Sequence, residues 1–134
     1  MNPMLTRTVV LRHDLPDGQW HYDWLLQRAT DPAGPLTTFR IGELPTFPGV
    51  ECLPAQRLPD HRHAYLDYEG PVSGDRGTVA RVLSGTCSWH ADTPGFVEFT
   101  ADFGSGPKRW RARPIGESAW RIDALDESLP PCTG

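Results

Sequence analysis

Lysine is almost absent from this sequence: Lys108 is the only one among 13 basic residues, set against 17 acidic residues and a net charge of −4. That balance lacks the broad positive field of a nonspecific nucleic-acid binder. The remaining basic residues are arginines, whose planar five-donor fork matches phosphate oxygens where lysine offers a flexible point charge. Local recognition of a phosphate therefore stays open. Cysteine is scarce too. Cys52, Cys87 and Cys132 are widely spaced, odd in number and without a C-x-x-C pair. Neither a disulfide framework nor a cysteine zinc site is expected, and a reducing cytoplasm is the expected location. Met1–Thr8 lacks the apolar core of a signal peptide, and no run approaches the roughly 20 apolar residues of a membrane span. A soluble protein with no membrane partner is the expectation.

Helix-length windows free of helix breakers are missing as well, because 14 prolines and 13 glycines are spread along the 134 residues. Short strand signals take their place. Thr6–Arg12 and Trp20–Gln27 flank a Pro16-Asp17-Gly18 turn, and Leu36–Ile41 follows. Gly42–Asp60, with four prolines, reads as an irregular excursion. Further strands are predicted over Ala64–Tyr68, Gly77–Leu83, Thr86–His90, Phe96–Ala101, Lys108–Arg113 and Ala119–Ile122, with a turn at Ser84-Gly85. This spacing predicts a mainly β protein: a small closed or nearly closed antiparallel β-barrel with little helix. One domain covers residues 1–126, and 127–134 form a flexible tail.

Strand alternation places His21, Asp23, Leu25 and Gln27 on one face of Trp20–Gln27, and Trp20, Tyr22, Trp24 and Leu26 on the core face. An imidazole and a carboxylate thus point the same way. His13 ends the preceding strand, where a hairpin brings it near His21 or Asp23, with the register left open. His61 and His63 follow the proline-rich excursion and could form a metal pair of their own. Imidazoles and a carboxylate converging from separate strands are a usual ligand set for a transition metal. In 108–113, Arg109, Arg111 and Arg113 share one face, a stripe able to track phosphates but equally an ordinary solvated barrel face. The glycines at 70, 74 and 77 fit neither a Walker A loop nor a dinucleotide fingerprint.

His13, then His21-Tyr22-Asp23, then Asp60-His61 with Tyr65 and Asp67-Tyr68-Glu69-Gly70, resembles the 3′-phosphoesterase domain of bacterial DNA ligase D. Gly74–Val79 and Gly85-Thr86 with Trp89 resemble the strands that follow in that family. The ordered match runs from about Val9 to Trp120. The resemblance implies a small β-barrel with a surface active site, acting as a metal-dependent phosphoesterase on nucleic-acid 3′ ends in DNA repair. It implies His13, Asp23 and His61 as ligands of one divalent metal, manganese first and zinc as the alternative. It also implies His21 and Tyr65 as catalytic groups, and a repair ligase or polymerase as partner. Two positions depart from the family: Leu25 replaces an arginine that would neutralise phosphate charge, and Pro59 replaces an acidic residue. Arg12, Arg62, Arg109 and Arg111 are the candidates to supply that charge. If none does, the alternative is a catalytically impaired metal-binding module that binds a nucleic-acid end or a repair partner.

Overall fold

The first two strands, β1 (Leu5–Asp14) and β2 (Trp20–Leu26), pair antiparallel in the register that organises the site: Leu11 lies opposite Asp23, and His13 opposite His21. The chain reverses over Leu15–Gln19. There the Leu15 N–H donates to the Gln19 carbonyl, and Gly18 takes φ = 87°, a conformation glycine enters without a Cβ penalty. The computed structural model describes residues 4–125, so the expected tail over 127–134 lies outside it.

The other strands are β3 (Leu36–Ile41), β4 (Cys52–His61), β5 (Gly70–Pro71), β6 (Thr78–Asp92), β7 (Val97–Asp102), β8 (Pro107–Pro114) and β9 (Ala119–Ala124). Their order, β1-β2-β3-β4-β9-β8-β7-β6, closes through pairing of β6 with β1. The result is the expected closed antiparallel barrel of eight strands, with β5 as a short addition to β6. The inward residues fill it with aromatics. The Trp24 ring meets Phe99 edge-on at 5.2 Å and Trp110 at 5.6 Å. Its indole N–H donates to Thr8 Oγ1 (2.9 Å), whose hydroxyl donates to the Leu25 carbonyl (2.8 Å), so the buried polar atoms are satisfied.

Three expectations are corrected. Much of Gly42–Asp60 is not irregular but forms β4, and its prolines explain why it was hidden. Pro54 pairs only with β9, because the pairing with β3 begins at Ala55; Pro59 lies beyond the last β9 pair. Each proline therefore sits where one flank of the strand is open, where its missing N–H costs no ladder bond. Ser84-Gly85 is not a turn, since β6 runs through it unbroken. Gly85 is there for space: a Cβ would lie 2.0 Å from the Asp102 carbonyl oxygen on β7. Ala64–Tyr68 is not a strand, because His63–Leu66 make one 3-10 turn. Cys87, for its part, is free and buried, its thiol pushed up to about 12 by burial.

The 3-10 turn belongs to a crossing. β4 and β6 lie on opposite sides of the β1-β2-β3 group, and the connecting residues 62–77 pass over its outer face, where Leu66 packs with Val9, Leu11 and Leu25. Together with Leu36 and Val79 they make a second small core. Arg7 holds the end of the turn, donating to the Leu66 carbonyl (3.3 Å) and pairing with Asp67 (2.8 Å). This tertiary packing overrides the strand propensity of the segment. No helix among the described residues is long and apolar enough to cross a membrane.

Candidate metal centre

Where residues 62–77 cross β1 and β2 they roof a cleft of about 460 Å³, lined by His13, His21, Asp23, His61 and Tyr65 among others. Asp23 is its deepest polar group, only 1 % exposed, and it has no arginine or lysine partner among the described residues. An ionised carboxylate held this far from water needs a compensating positive charge.

The histidines are arranged to receive that charge. His13 Nε2 lies 2.6 Å from the Arg76 carbonyl and His61 Nδ1 lies 3.1 Å from the Pro59 carbonyl. A carbonyl only accepts, so both ring nitrogens carry hydrogen. In the neutral rings the opposite nitrogens, His13 Nδ1 and His61 Nε2, are then lone pairs. Both face the same Asp23 oxygen, Oδ2, at 3.7 Å each. Three electron-rich atoms converge with no hydrogen between them, which is repulsive unless a cation or a proton intervenes. Ligands about 2.0–2.2 Å from one divalent ion stand roughly 3–4 Å apart, a range that holds the His13–Asp23 and the His61–Asp23 separations. Orientation of a ligating imidazole by a backbone carbonyl is likewise the usual outer support of a metal site. For His61 that orienting carbonyl is the one of Pro59.

His21 occupies the other side of the carboxylate, its Nε2 3.0 Å from Asp23 Oδ1, while its Nδ1 is buried without a hydrogen-bond partner. His13, His21 and Asp23 offer ligand atoms within 4.8 Å of one another. His21, expected as a catalytic group, thus stands close enough to bind the ion itself. His61, expected as a ligand, is outside that group and joins it only through Asp23 Oδ2. Burial, the largest influence on Asp23, pushes its carboxyl up, but His21 and then His61 outweigh it and hold it below the ordinary carboxylate range. Burial pushes His61 down, yet Asp23 and the Pro59 carbonyl leave it above its ordinary 6.5. Tyr65 stands edge-on to His61 with ring centroids 5.7 Å apart. His63 does not line the cleft, because it begins the 3-10 turn and does not share a strand face with His61.

The four arginine candidates divide. Arg62 lines the cleft. Arg12 does not: it pairs with Asp14 (3.1 Å) and lies 4.3 Å from the Trp20 ring centre. Arg109 and Arg111 are on β8 and close onto the buried Glu98, Arg109 Nη2 at 2.8 Å and Arg111 Nε at 2.7 Å. Arg109 also borders a larger cavity of about 840 Å³, which none of the four cluster residues lines. Leu25 is fully buried in the second core and faces no cleft. Sequence reasoning missed two cleft residues, Arg40 on β3 and Arg76 in the crossing segment. Arg40 comes into view only once β2 and β3 are paired, when it lies directly opposite Asp23. No protein-family model matches this chain, and no curated protein matches it either.

Proposed function

We propose that this chain is a metal-dependent phosphoesterase of nucleic-acid 3′ ends, similar to the 3′-phosphoesterase domain of bacterial DNA ligase D. It would remove a 3′-phosphate or a terminal 3′-ribonucleotide during DNA repair, with a repair ligase or polymerase using the healed end. One observation carries the reading: a single buried Asp23 oxygen with ring nitrogens of His13 and His61 each 3.7 Å away. The order of the sequence motifs supports it.

His13, Asp23 and His61 would hold the ion, and two imidazoles with a carboxylate suit manganese or zinc better than a soft metal. A divalent metal bound there polarises a phosphoryl oxygen and lowers the pKa of a bound water. In monoester hydrolysis the water oxygen joins phosphorus, the bond from phosphorus to the 3′ oxygen breaks, and that oxygen leaves as an alcohol after gaining a proton. An imidazole is the natural donor near neutral pH, and His21 fills that role in this reading. Tyr65 contributes its hydroxyl to a phosphate oxygen.

The test is turnover of a 5′-labelled primer–template ending in a 3′-phosphate or one 3′-ribonucleotide, with Mn²⁺, by wild type and Asp23→Asn. Dephosphorylated or shortened primer from the wild type alone is expected. The burial of Leu25 favours a second reading, a catalytically impaired metal-binding module. A salt-dependent shift of a 3′-phosphorylated oligonucleotide without turnover would select it.

A further inference from the structure

Most arginines of this barrel are already engaged with acids. Arg7 pairs with Asp67, Arg28 with Asp92, Arg57 with Asp60, and those of β8 and β9 with Glu98 or Asp123. Among the described residues, Arg40, Arg62, Arg76 and Arg81 form no ion pair with a carboxylate. Arg81 donates to the Leu66 carbonyl (3.3 Å). The other three all line the cleft over Asp23. A concentration of uncompensated guanidinium groups around one concavity is costly in self-repulsion and favours an anion there.

Two of the three are held in place by the fold. Arg40 is directly opposite Asp23 in the β2–β3 pairing, so both side chains leave the same face of the sheet. Arg76 enters from the β1 side. Its guanidinium donates to the Ser73 carbonyl (2.7 Å) and hydroxyl (3.1 Å), and its own carbonyl holds His13. The turn that presents it has φ of 75° at Gly74, 54° at Asp75 and 93° at Gly77. A Cβ at Gly77 would meet the Asp14 carbonyl oxygen at 1.9 Å, so this turn is pressed tightly onto the end of β1.

We infer that Arg40 and Arg76 grip the substrate phosphate from the β3 and β1 sides of the cleft, supplying the charge that Leu25 cannot. The inference rests on the phosphoesterase reading and deepens it, assigning the phosphate contact to residues outside the motifs that carry the family resemblance. A terminal phosphate, with two negative charges and three oxygens, suits two guanidinium forks better than a phosphodiester does.

The experiment is equilibrium binding of fluorescent oligonucleotides ending in 3′-phosphate or 3′-hydroxyl, first in EDTA and then with Ca²⁺. The proteins are wild type, Arg40→Ala, Arg76→Ala, Arg76→Gln, the double alanine variant and Arg12→Ala. Each cleft substitution is expected to cut the preference for the 3′-phosphate by roughly 10-fold, in line with a lost hydrogen bond to a charged group. Arg12→Ala should leave it unchanged. Both arginines are exposed and the Arg76 carbonyl on His13 is backbone, so folding should survive; thermal unfolding checks this. Undiminished phosphate preference in the folded double variant would overturn the inference while leaving the phosphoesterase reading intact. A wild type with neither phosphate preference nor Mn²⁺-dependent turnover would overturn both.

Discussion

Among the described residues two carboxylates are buried in the outer wall of this barrel, and their neighbours make them opposites. Glu98 on β7 is 7 % exposed and clamped by Arg109 and Arg111. The Arg109 hydrogen bond, more than any other influence, holds its carboxyl below the ordinary range. Arginine does not titrate in proteins, so that cluster is complete as it stands. Asp23 on β2 is surrounded by imidazoles, whose charge depends on pH and whose lone pairs can bind a metal. The first arrangement is a structural ion pair. The second has no arginine or lysine partner among the described residues, although Arg40, Arg62 and Arg76 line the same cleft.

Removing the acid should show the difference at its largest. Asp23→Asn keeps the volume but loses the charge that draws the histidines together. Outer-shell changes alone typically cost about 10–100-fold in metal affinity, so loss of a ligand should exceed about 100-fold. Calorimetric Mn²⁺ or Zn²⁺ titration checks this, and metal binding unaltered by the substitution would remove the centre from consideration. Leu25→Arg comes next. If the proposed phosphoesterase needs an arginine at this position, introducing one should help. The structure says otherwise: position 25 is fully buried beside Leu11, Leu36 and Leu66, where an unpaired charge costs on the order of 3–5 kcal/mol. Urea unfolding should show a loss of that size with no gain in phosphate affinity.

The parts of this site written in local sequence were legible, and the parts written in topology were not. Alternation along Trp20–Leu26 put His21 and Asp23 on one face because a strand repeats every two residues. His13 needed only a short hairpin, although its register waited on the Leu15–Gln19 turn. Arg40 needed the β2–β3 pairing across the intervening loop, and Arg76 needed the crossing of residues 62–77 over the barrel wall. Neither relation leaves a periodic trace. The alternating Arg109–Arg113 stripe was the more visible basic motif, yet visibility reflected only β8 geometry; its partner Glu98 lies on another strand. β4 was hidden for a related reason, because the open flanks that excuse Pro54 and Pro59 depend on where β3 and β9 end.

The two clusters should also respond differently to pH. His61 has its pKa raised above 6.5, so the stability it contributes is complete below the unfolded value and is lost as pH rises through the raised one. Glu98 has its pKa lowered, so its contribution is present above the unfolded carboxylate value and is lost as pH falls through the lowered one. Metal-free protein should therefore lose thermal stability on the alkaline side of His61 as well as in acid. If the proposed site binds Mn²⁺ through His61, saturating metal should abolish the alkaline loss by taking the place of the proton between His61 and Asp23, and leave the Glu98 part of the acid loss in place. Melting temperatures across pH 5 to 9, with EDTA or metal, measure the first effect; an alkaline slope identical in both conditions would separate His61 from the metal.

The smallest expected change comes from the arginines that look most like a phosphate-binding stripe. Arg109→Ala with Arg111→Ala removes two positive charges, which on net charge alone should weaken binding of any anion. Their guanidinium groups, however, are already directed at Glu98, and neither residue lines the cleft over Asp23. With no shared partners between the two sites, the preference for a 3′-phosphate over a 3′-hydroxyl end should stay within about two-fold of wild type. The cost should fall on the fold instead, because Glu98 is left buried without its counter-charges. A double variant that unfolds earlier yet selects the 3′-phosphate normally would establish that the two arginine groups serve different ends. Loss of selectivity at unchanged stability would mean that the substrate runs along β8, and that the cleft over Asp23 does not act alone.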